Sequence, residues 1–325
     1  MELPIELRLE IEKRLENQNT KILQQNAEEI SLKYRTESGS GKRLVTQSMQ
    51  VLSYAAVRMP ATYGAVHTVI EKLIEILPDF KPTSLLDVGS GTGAGTWAIS
   101  RFFDLKEDVI CLEREREMRE LGSSLMKISE DETLKNANWT EFDLTKQEIP
   151  TNADIVIASY VLNEMDKTEY LKAVQKLWDA TNQILIIVEP GTPVGFNEIR
   201  TIREELISKG AHIVAPCTHS HNCPIMDDDW CHTTCRVART KIHKNLKSGN
   251  VPYEDEKFSY IVACKQNYAV PNIKLGRVLR HPKIEAGKIT LDVCTKQGNI
   301  HSVIVTKKDK ELFKIVRKAK CGDLI

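Results

Sequence analysis

The sequence predicts an α/β protein built on a Rossmann-like sheet. To this it adds a helical N-terminal region, a cysteine-rich metal insertion and a small, β-containing, basic C-terminal extension. Three observations carry the prediction. Apolar strands alternate with helical patterns between residue 82 and about 215, which is the pattern of a parallel sheet. The first of these strands breaks into alternating glycines, Gly89, Gly91, Gly93 and Gly95, before a helical run begins at Thr96. Four of the eight cysteines then crowd into the segment from Cys217 to Cys235.

Residues 1–80 read as helical, with Ile5, Leu7, Ile11 and Leu15 recurring near the helical period. The run Thr36-Glu-Ser-Gly-Ser-Gly-Lys-Arg43 lacks the first glycine and the Ser/Thr of a phosphate loop, so it reads as a basic loop tip. Pro60 ends one helix and can open the next in its first turn, and Arg58 and Tyr63 beside it are candidates to face the cleft.

The strand Ser84–Val88 and its turn form a nucleotide-type binding element. Glycine lets a ligand approach the backbone, and the following helix points free N–H groups at it. Gly89, Gly91 and Ala94 fit a dinucleotide turn. Asp87, two residues earlier, instead makes the stretch resemble the D-x-G-x-G-x-G signature of class I S-adenosylmethionine (SAM) methyltransferases, and SAM is the favoured ligand. The resemblance implies that Asp87 and the loop hold the methionine moiety. The second strand, Asp108–Glu113, ends in an acid suited to ribose hydroxyls in either case.

Further strands are expected at Trp139–Phe142, Asp154–Ala158 and Gln183–Glu189. Ligands bind beyond the carboxyl ends of such strands, so Asp87, Glu113, Asp143, Ser159, Tyr160 and Glu189 should converge on one crevice. SAM methyltransferases place an acid near the adenine amino group where Asp143 stands; a helix N-cap is its other reading. The reactive strand ends carry no Asn-Pro-Pro-Tyr box and no nucleophilic cysteine, so no residue is assigned a catalytic role.

Cys217, Cys223 and Cys231 are separated by five and seven residues, with Pro216 and Pro224 stiffening the turns. In a reducing compartment this density points to a metal. Thiolates select iron–sulfur or zinc. The gaps are wider than the paired spacing of zinc sites and suit a [4Fe–4S] cluster, with zinc the alternative. Cys235, Cys264 and Cys294 are the candidates for a fourth ligand.

At 325 residues, with 41% hydrophobic and 28% charged residues, the chain has room for two domains or one large domain with additions. No apolar run approaches the roughly 20 residues of a membrane span, so no membrane partner is expected. Met1–Arg8 lacks the character of a signal or transit peptide, and a cytoplasmic protein with reduced thiols is expected. The net charge of zero hides an asymmetry: residues 236–325 hold 20 Lys and Arg against 8 Asp and Glu. A basic final quarter suggests a polyanionic partner. Arg236, Arg239, Lys241, His243, Lys244, Lys247, Arg277, Arg280 and Lys283 are candidates to grip phosphates.

Taken together, several stretches resemble one family. They are Arg58–Tyr63, Leu86–Gly93, Val188–Pro193, Ala215–His219, Cys223–Pro224, Trp230–His232, Glu254–Tyr260 and Lys318–Ile325. The chain is similar, from about residue 40 onward, to the methyltransferase-like assembly factors of the mitochondrial small ribosomal subunit and their bacterial relatives. The resemblance implies a SAM-type domain with an iron–sulfur insertion, acting on small-subunit ribosomal RNA or its precursor. It carries Cys217, Cys223, Cys231 and Cys294 over as ligands, the last from the stretch Asp292–Gly298. Two functions stay open: a SAM-dependent rRNA methyltransferase, or a catalytically silent assembly factor. A zinc-dependent RNA-binding module is a third. The expected organisation is 1–80 helical, 81–215 SAM-binding, 216–250 cysteine-rich, 251–270 final strands and 271–325 basic extension.

Overall fold

The computed structural model describes residues 1–325 except 38, 40, 42, 43, 46, 167, 227, 248–250 and 269–272. The basic loop tip at Lys42 and Arg43 and the expected boundaries at 250 and 270 lie outside the described residues.

The first 80 residues form α1 (Ile5–Glu16), α2 (Thr20–Thr36), α3 (Ser48–Val57) and α4 (Met59–Ile76). In α1 the four-residue spacing of Leu7, Ile11 and Leu15 puts all three on the buried side. Asn19 opens α2 by accepting hydrogen bonds from the N–H groups of Lys21 and Ile22. Pro60 sits in the first turn of α4, where its missing N–H costs no helical bond. The helix α4 then crosses the main sheet and is buried along most of its length.

That sheet contains β1 (Leu85–Val88), β2 (Val109–Glu113), β3 (Asn138–Glu141), β4 (Ala153–Ser159), β5 (Thr181–Pro190), β6 (His212–Ala215), β7 (Thr233–Ala238) and β8 (Tyr253–Cys264). Its order is β3-β2-β1-β4-β5-β8-β6, with β7 also pairing β8. The pairs among β1 to β5 are parallel, and β8 enters antiparallel between β5 and β6. This is an α/β Rossmann-like fold with a mixed central sheet.

Alternate residues of the central strands feed two separate cores. Leu85, Ile155, Ile157, Ile184 and Ile186 face α4 and α5 (Ala94–Ile99). Leu86, Val156, Ala158, Leu185 and Ile187 face the opposite side. The shorter helices α6 (Arg116–Met126) and α7 (Glu132–Lys135) follow β2, while α8 (Tyr170–Asp179) and α9 (Pro193–Ser208) cover the second face. Burial on both faces explains why these strands read as continuous apolar runs.

The expected strands fall within one or two residues of the observed ones. By contrast, β6, β7 and the first half of β8 were not expected. Tyr253–Lys257 is too charged to read as a strand, yet it pairs with β7 in the register Arg236↔Asp255. That register sets opposite charges across from one another, which supports the pairing.

After β7, α10 (Lys241–Leu246) is capped by the Thr240 hydroxyl. Beyond β8 a second sheet forms from β9 (Arg277–Val278), β10 (Lys283–Glu285), β11 (Lys288–Cys294) and β12 (Ile300–Thr306), closed by α11 (Lys310–Val316). Val278, Ile289, Leu291, Val293, Val305 and Val316 give this segment a core of its own. Among the described residues no helix is long and apolar enough to cross a membrane.

Candidate functional site

The glycine turn opens on a cavity of about 330 Å³ at the carboxyl ends of β1, β2 and β4. The three of its glycines that adopt positive φ, Gly89, Gly91 and Gly93, do different things. Gly91 (φ 55°) faces the cavity, where a Cβ would meet only the Tyr54 hydroxyl at 3.9 Å. A Cβ on Gly89 (φ 69°) would instead lie 2.3 Å from Val161, and one on Gly93 would lie 2.4 Å from Met126. Thus Gly91 admits a ligand, whereas Gly89 and Gly93 let the chain pack on itself.

Asp87 lies beneath the turn. It is fully buried, and its Oδ2 accepts hydrogen bonds from the Thr96 N–H (3.0 Å) and hydroxyl (2.7 Å). Burial pushes its carboxyl up to about 6 against those two bonds. Through Oδ2 the side chain fastens the start of α5 to β1, while its Oδ1 is buried without a partner.

Glu113 does line the cavity. Its carboxylate accepts hydrogen bonds from the N–H of Gly91 (2.8 Å) and of Glu115 (2.7 Å), while burial raises its pKa. A carboxylate has about four acceptor sites, so it can still receive two hydroxyls. Asp143 lies on the same rim, where its Oδ1 accepts from the Thr145 N–H (3.1 Å) and hydroxyl (2.5 Å). Burial opposes its ionisation, but Thr145 and Lys146 outweigh that and hold the carboxyl below its usual value. The helix that Asp143 was expected to cap is a turn.

Ser159 and Tyr160 close the floor at the end of β4. Tyr160 is the non-glycine residue with positive φ (58°) among the described residues, and its hydroxyl donates to Glu256 Oε1 at 3.0 Å. Strain of this kind is kept where surrounding structure over-determines it. Glu164, hydrogen-bonded to Tyr34, has its carboxyl pushed up to about 7, first by burial and then by Glu113. Glu164, which the sequence offers with Asn163 and Tyr160 to position a substrate, lines the cavity, whereas Tyr34 and Tyr54 went unnoticed because they sit on elements whose approach to the turn is a tertiary fact. Of the pair beside Pro60, Tyr63 is in the core and Arg58 lies under the Tyr34 ring at 5.9 Å; neither lines the cavity.

The charge of this cavity discriminates between ligand classes. Glu113, Glu115, Asp143, Glu164, Asp166 and Glu169 line it, against Arg114 and Lys146. A pyrophosphate would meet repulsion from that set, whereas a ligand carrying sulfonium and ammonium groups would be attracted.

A second, apolar cavity of about 50 Å³ lies between α9, β8 and the second sheet. Cys217, Cys223, Cys231 and Cys294 all line it, together with Phe196, Ile225 and Leu279. Burial, and then the neighbouring Cys217 and Cys223 thiols, push Cys294 up to about 12. Cys231 is raised in the same way, and its neighbours include Cys321 as well. Such thiols ionise only when a cation takes the proton's place. The Cys294 sulfur lies 3.4 Å from His219 Nε2. Ser259 holds the Cys231 carbonyl at 2.9 Å, and the Trp230 indole N–H donates to the Gly191 carbonyl at 3.1 Å.

Cys264 is at the far end of β8, opposite Ile184 and His212, and Cys235 packs on α4 at Gly64. Neither reaches the cavity. Cys321 stands next to it, its thiol donating to the carbonyls of His232 and Leu279. Among the described residues no three His, Cys, Asp or Glu side chains close on one point as a single metal ion would require. The four thiols surround a space instead.

The expected phosphate-gripping set is mostly used internally. Arg236 pairs with Asp255, and Arg239 and Lys247 pair with Glu254. His243 is 1% exposed, Arg277 is 2% exposed, and Arg280 pairs with Asp229. Of that set, Lys241, Lys244, Lys283 and the buried Arg277 keep no carboxylate partner among the described residues. Linear charge counting could not anticipate this, because acids on β8 approach only through the sheet.

Comparison with known proteins places the chain. A family model described as mitochondrial small ribosomal subunit Rsm22 matches residues 48–325. Ribosome assembly protein METTL17, mitochondrial, of Homo sapiens is 25% identical over 296 residues, covering 84% of this chain and 62% of that protein. Rsm22-cox11 tandem protein 2, mitochondrial, of Schizosaccharomyces pombe is 26% identical over 327 residues, covering 85% of this chain and 43% of that protein. The chain thus spans less than two thirds of the length of either relative.

Among solved structures, magnesium protoporphyrin IX methyltransferase from Synechocystis with bound SAM gives a TM-score of 0.43 at 13% identity, covering 73% of this chain and 91% of that one. A SAM-dependent methyltransferase from Aquifex aeolicus gives 0.40 at 12% identity, covering 67% and 98%. The cytoplasmic location expected from the first residues is corrected, because the family and both relatives are described as mitochondrial. The chain belongs to the mitochondrial small ribosomal subunit Rsm22 family.

Proposed function

We propose that the chain binds SAM in the glycine-turn cavity, holds a [4Fe–4S] cluster on Cys217, Cys223, Cys231 and Cys294, and acts on small-subunit ribosomal RNA during assembly of a mitochondrial-type ribosome. The observation that carries this reading is the meeting of thiols from two distant segments around one cavity, in a chain of this family. It fastens the basic C-terminal segment to the cofactor fold.

The residues present suit both groups. For SAM, the Gly91 backbone and the acidic lining match a cationic ligand; Glu113 and Asp143 both line the cavity, the first to take the ribose hydroxyls and the second the adenine side in this reading. Bound SAM supplies an electrophilic methyl group. For the cluster, four soft donors meet in an apolar space, and the metal's part is structural.

One observation favours a second reading, a silent assembly factor. The end of β4 presents a Tyr160 hydroxyl already committed to Glu256 where a methyltransferase would keep its reactive group. A SAM titration combined with tritium transfer to precursor small subunits separates the two. Transfer identifies an enzyme, and binding without transfer identifies the factor. Iron and sulfide assayed on anaerobically purified protein test the centre; a colourless, zinc-loaded protein would select the zinc-dependent RNA-binding module instead.

A further inference from the structure

Two buried arginines flank the cysteine cavity with no acid to balance them. Arg203, on α9, is 3% exposed; its Nη2 donates to the carbonyls of His219 (2.8 Å) and His221 (2.7 Å). Arg277, on β9, is 2% exposed; its Nε donates to the Pro216 carbonyl (2.6 Å) and its Nη1 to the Gly322 carbonyl (2.5 Å). Both side chains line the cavity, and neither has a carboxylate partner among the described residues. Each keeps one buried nitrogen without a partner, Nε of Arg203 and Nη2 of Arg277. The Tyr260 hydroxyl, also lining the cavity and 2% exposed, is likewise unpartnered.

A guanidinium cannot shed its proton, so burying two of them beside neutral thiols leaves two positive charges uncompensated. Native folds rarely tolerate this, and unsatisfied buried donors call for an explanation. Four thiolates around a doubly positive [4Fe–4S] core carry a net double negative charge. The two guanidiniums match it in number, and the three free donors can hydrogen-bond cysteine or cluster sulfur.

We propose that Arg203 and Arg277 are the counter-ions of a dianionic tetrathiolate centre, with Tyr260 as an added donor. They are positioning residues that make the cavity specific for a centre of that charge. This rests on the tetrathiolate reading above. It adds that the metal-free chain is electrostatically frustrated at this point, because the cations have nothing to neutralise.

The test uses the full chain with Arg203→Gln, Arg203→Lys and Arg277→Gln. Metal release to a chelator, the midpoint potential of the centre, and thermal unfolding of loaded and metal-free protein are measured. Both neutral variants should release metal about 10- to 100-fold faster, as expected when a group bonded to the ligands is lost. Their potential should move to more negative values, and Arg203→Lys should restore both quantities. Metal-free Arg203→Gln should unfold at the same temperature as the metal-free parent or higher.

Equal retention and potential in both Gln variants would overturn the proposal. So would equal destabilisation of loaded and metal-free Arg203→Gln, which would mark Arg203 as a brace for the His219 and His221 carbonyls. Failure of the underlying reading looks different: the parent chain itself would hold no metal. A parent loaded with zinc tests the charge claim on zinc release.

Discussion

Glu113, Glu115, Glu164 and Asp166 surround the glycine-turn cavity, while Arg203 and Arg277 flank the cysteine cavity. The two spaces share a wall. On β8, Glu256 receives the hydroxyl of Tyr160 from the first, and Phe258–Ile261 line the second. The difference lies in how each is supported. Glu113 and Asp143 of the first are held by backbone N–H groups of the loops at the strand ends, whereas the thiols of the second come from segments far apart in the chain. A ligand at the first perturbs a finished scaffold. A ligand at the second helps to make one.

The contrast breaks first at Cys294. The free energy of a structural metal site is on the order of 10 kcal/mol, so Cys294→Ser carries the largest expected effect. Iron should be lost, proteases should cut between the two sheets, and RNA binding should weaken, while SAM affinity stays unchanged. A parallel fall in SAM affinity would mean that β8 couples the cavities and that they are not independent.

The next effect concerns Asp87. Its folded carboxyl, pushed up to about 6 from an ordinary 3.8, favours the protonated form. That contribution is fully present below pH 3.8 and is lost as pH rises through about 6. Asp87→Asn removes the titration, so its stability relative to the parent should rise by about 3 kcal/mol between those limits, measured by denaturant unfolding. A constant difference across the range would show that Asp87 is charged at low cost.

The smallest effect sharpens the picture of the first cavity. Glu164 ionises near pH 7, and its negative form favours a cationic ligand. SAM binding should therefore tighten by about tenfold, the equivalent of one pKa unit of interaction, as pH rises through 7. Glu164→Gln should flatten that profile. A flat profile in the parent chain would remove Glu164 from the binding site.

Much of the sheet was legible because β1, β2, β4 and β5 bury both faces and so announce themselves as apolar runs. The glycine turn was legible because backbone geometry there restricts residue type. The strand at Tyr253–Lys257 was hidden because its stability comes from pairing with Arg236 and its neighbours, not from its own hydrophobicity. Asp87 shows a different limit. Its position two residues before Gly89 is readable, but whether an acid there meets ligand or helix depends on which way β1 turns its side chain. The same applies to Arg277, which counts as a surface cation in one dimension and is nearly sealed in three.

The register of Cys294, at the last position of β11, also imposes an order on biosynthesis. Sixty-two residues separate Cys231 from Cys294. A ribosome making this chain releases the third thiol well before the fourth. Until β11 has emerged and paired with β9 and β12, Phe196, Ile225 and the three earlier cysteines lack the wall that Leu279 and Cys294 provide. A nascent or truncated chain ending before residue 294 would expose that oily, thiol-rich face to the cell's oxidants and chaperones.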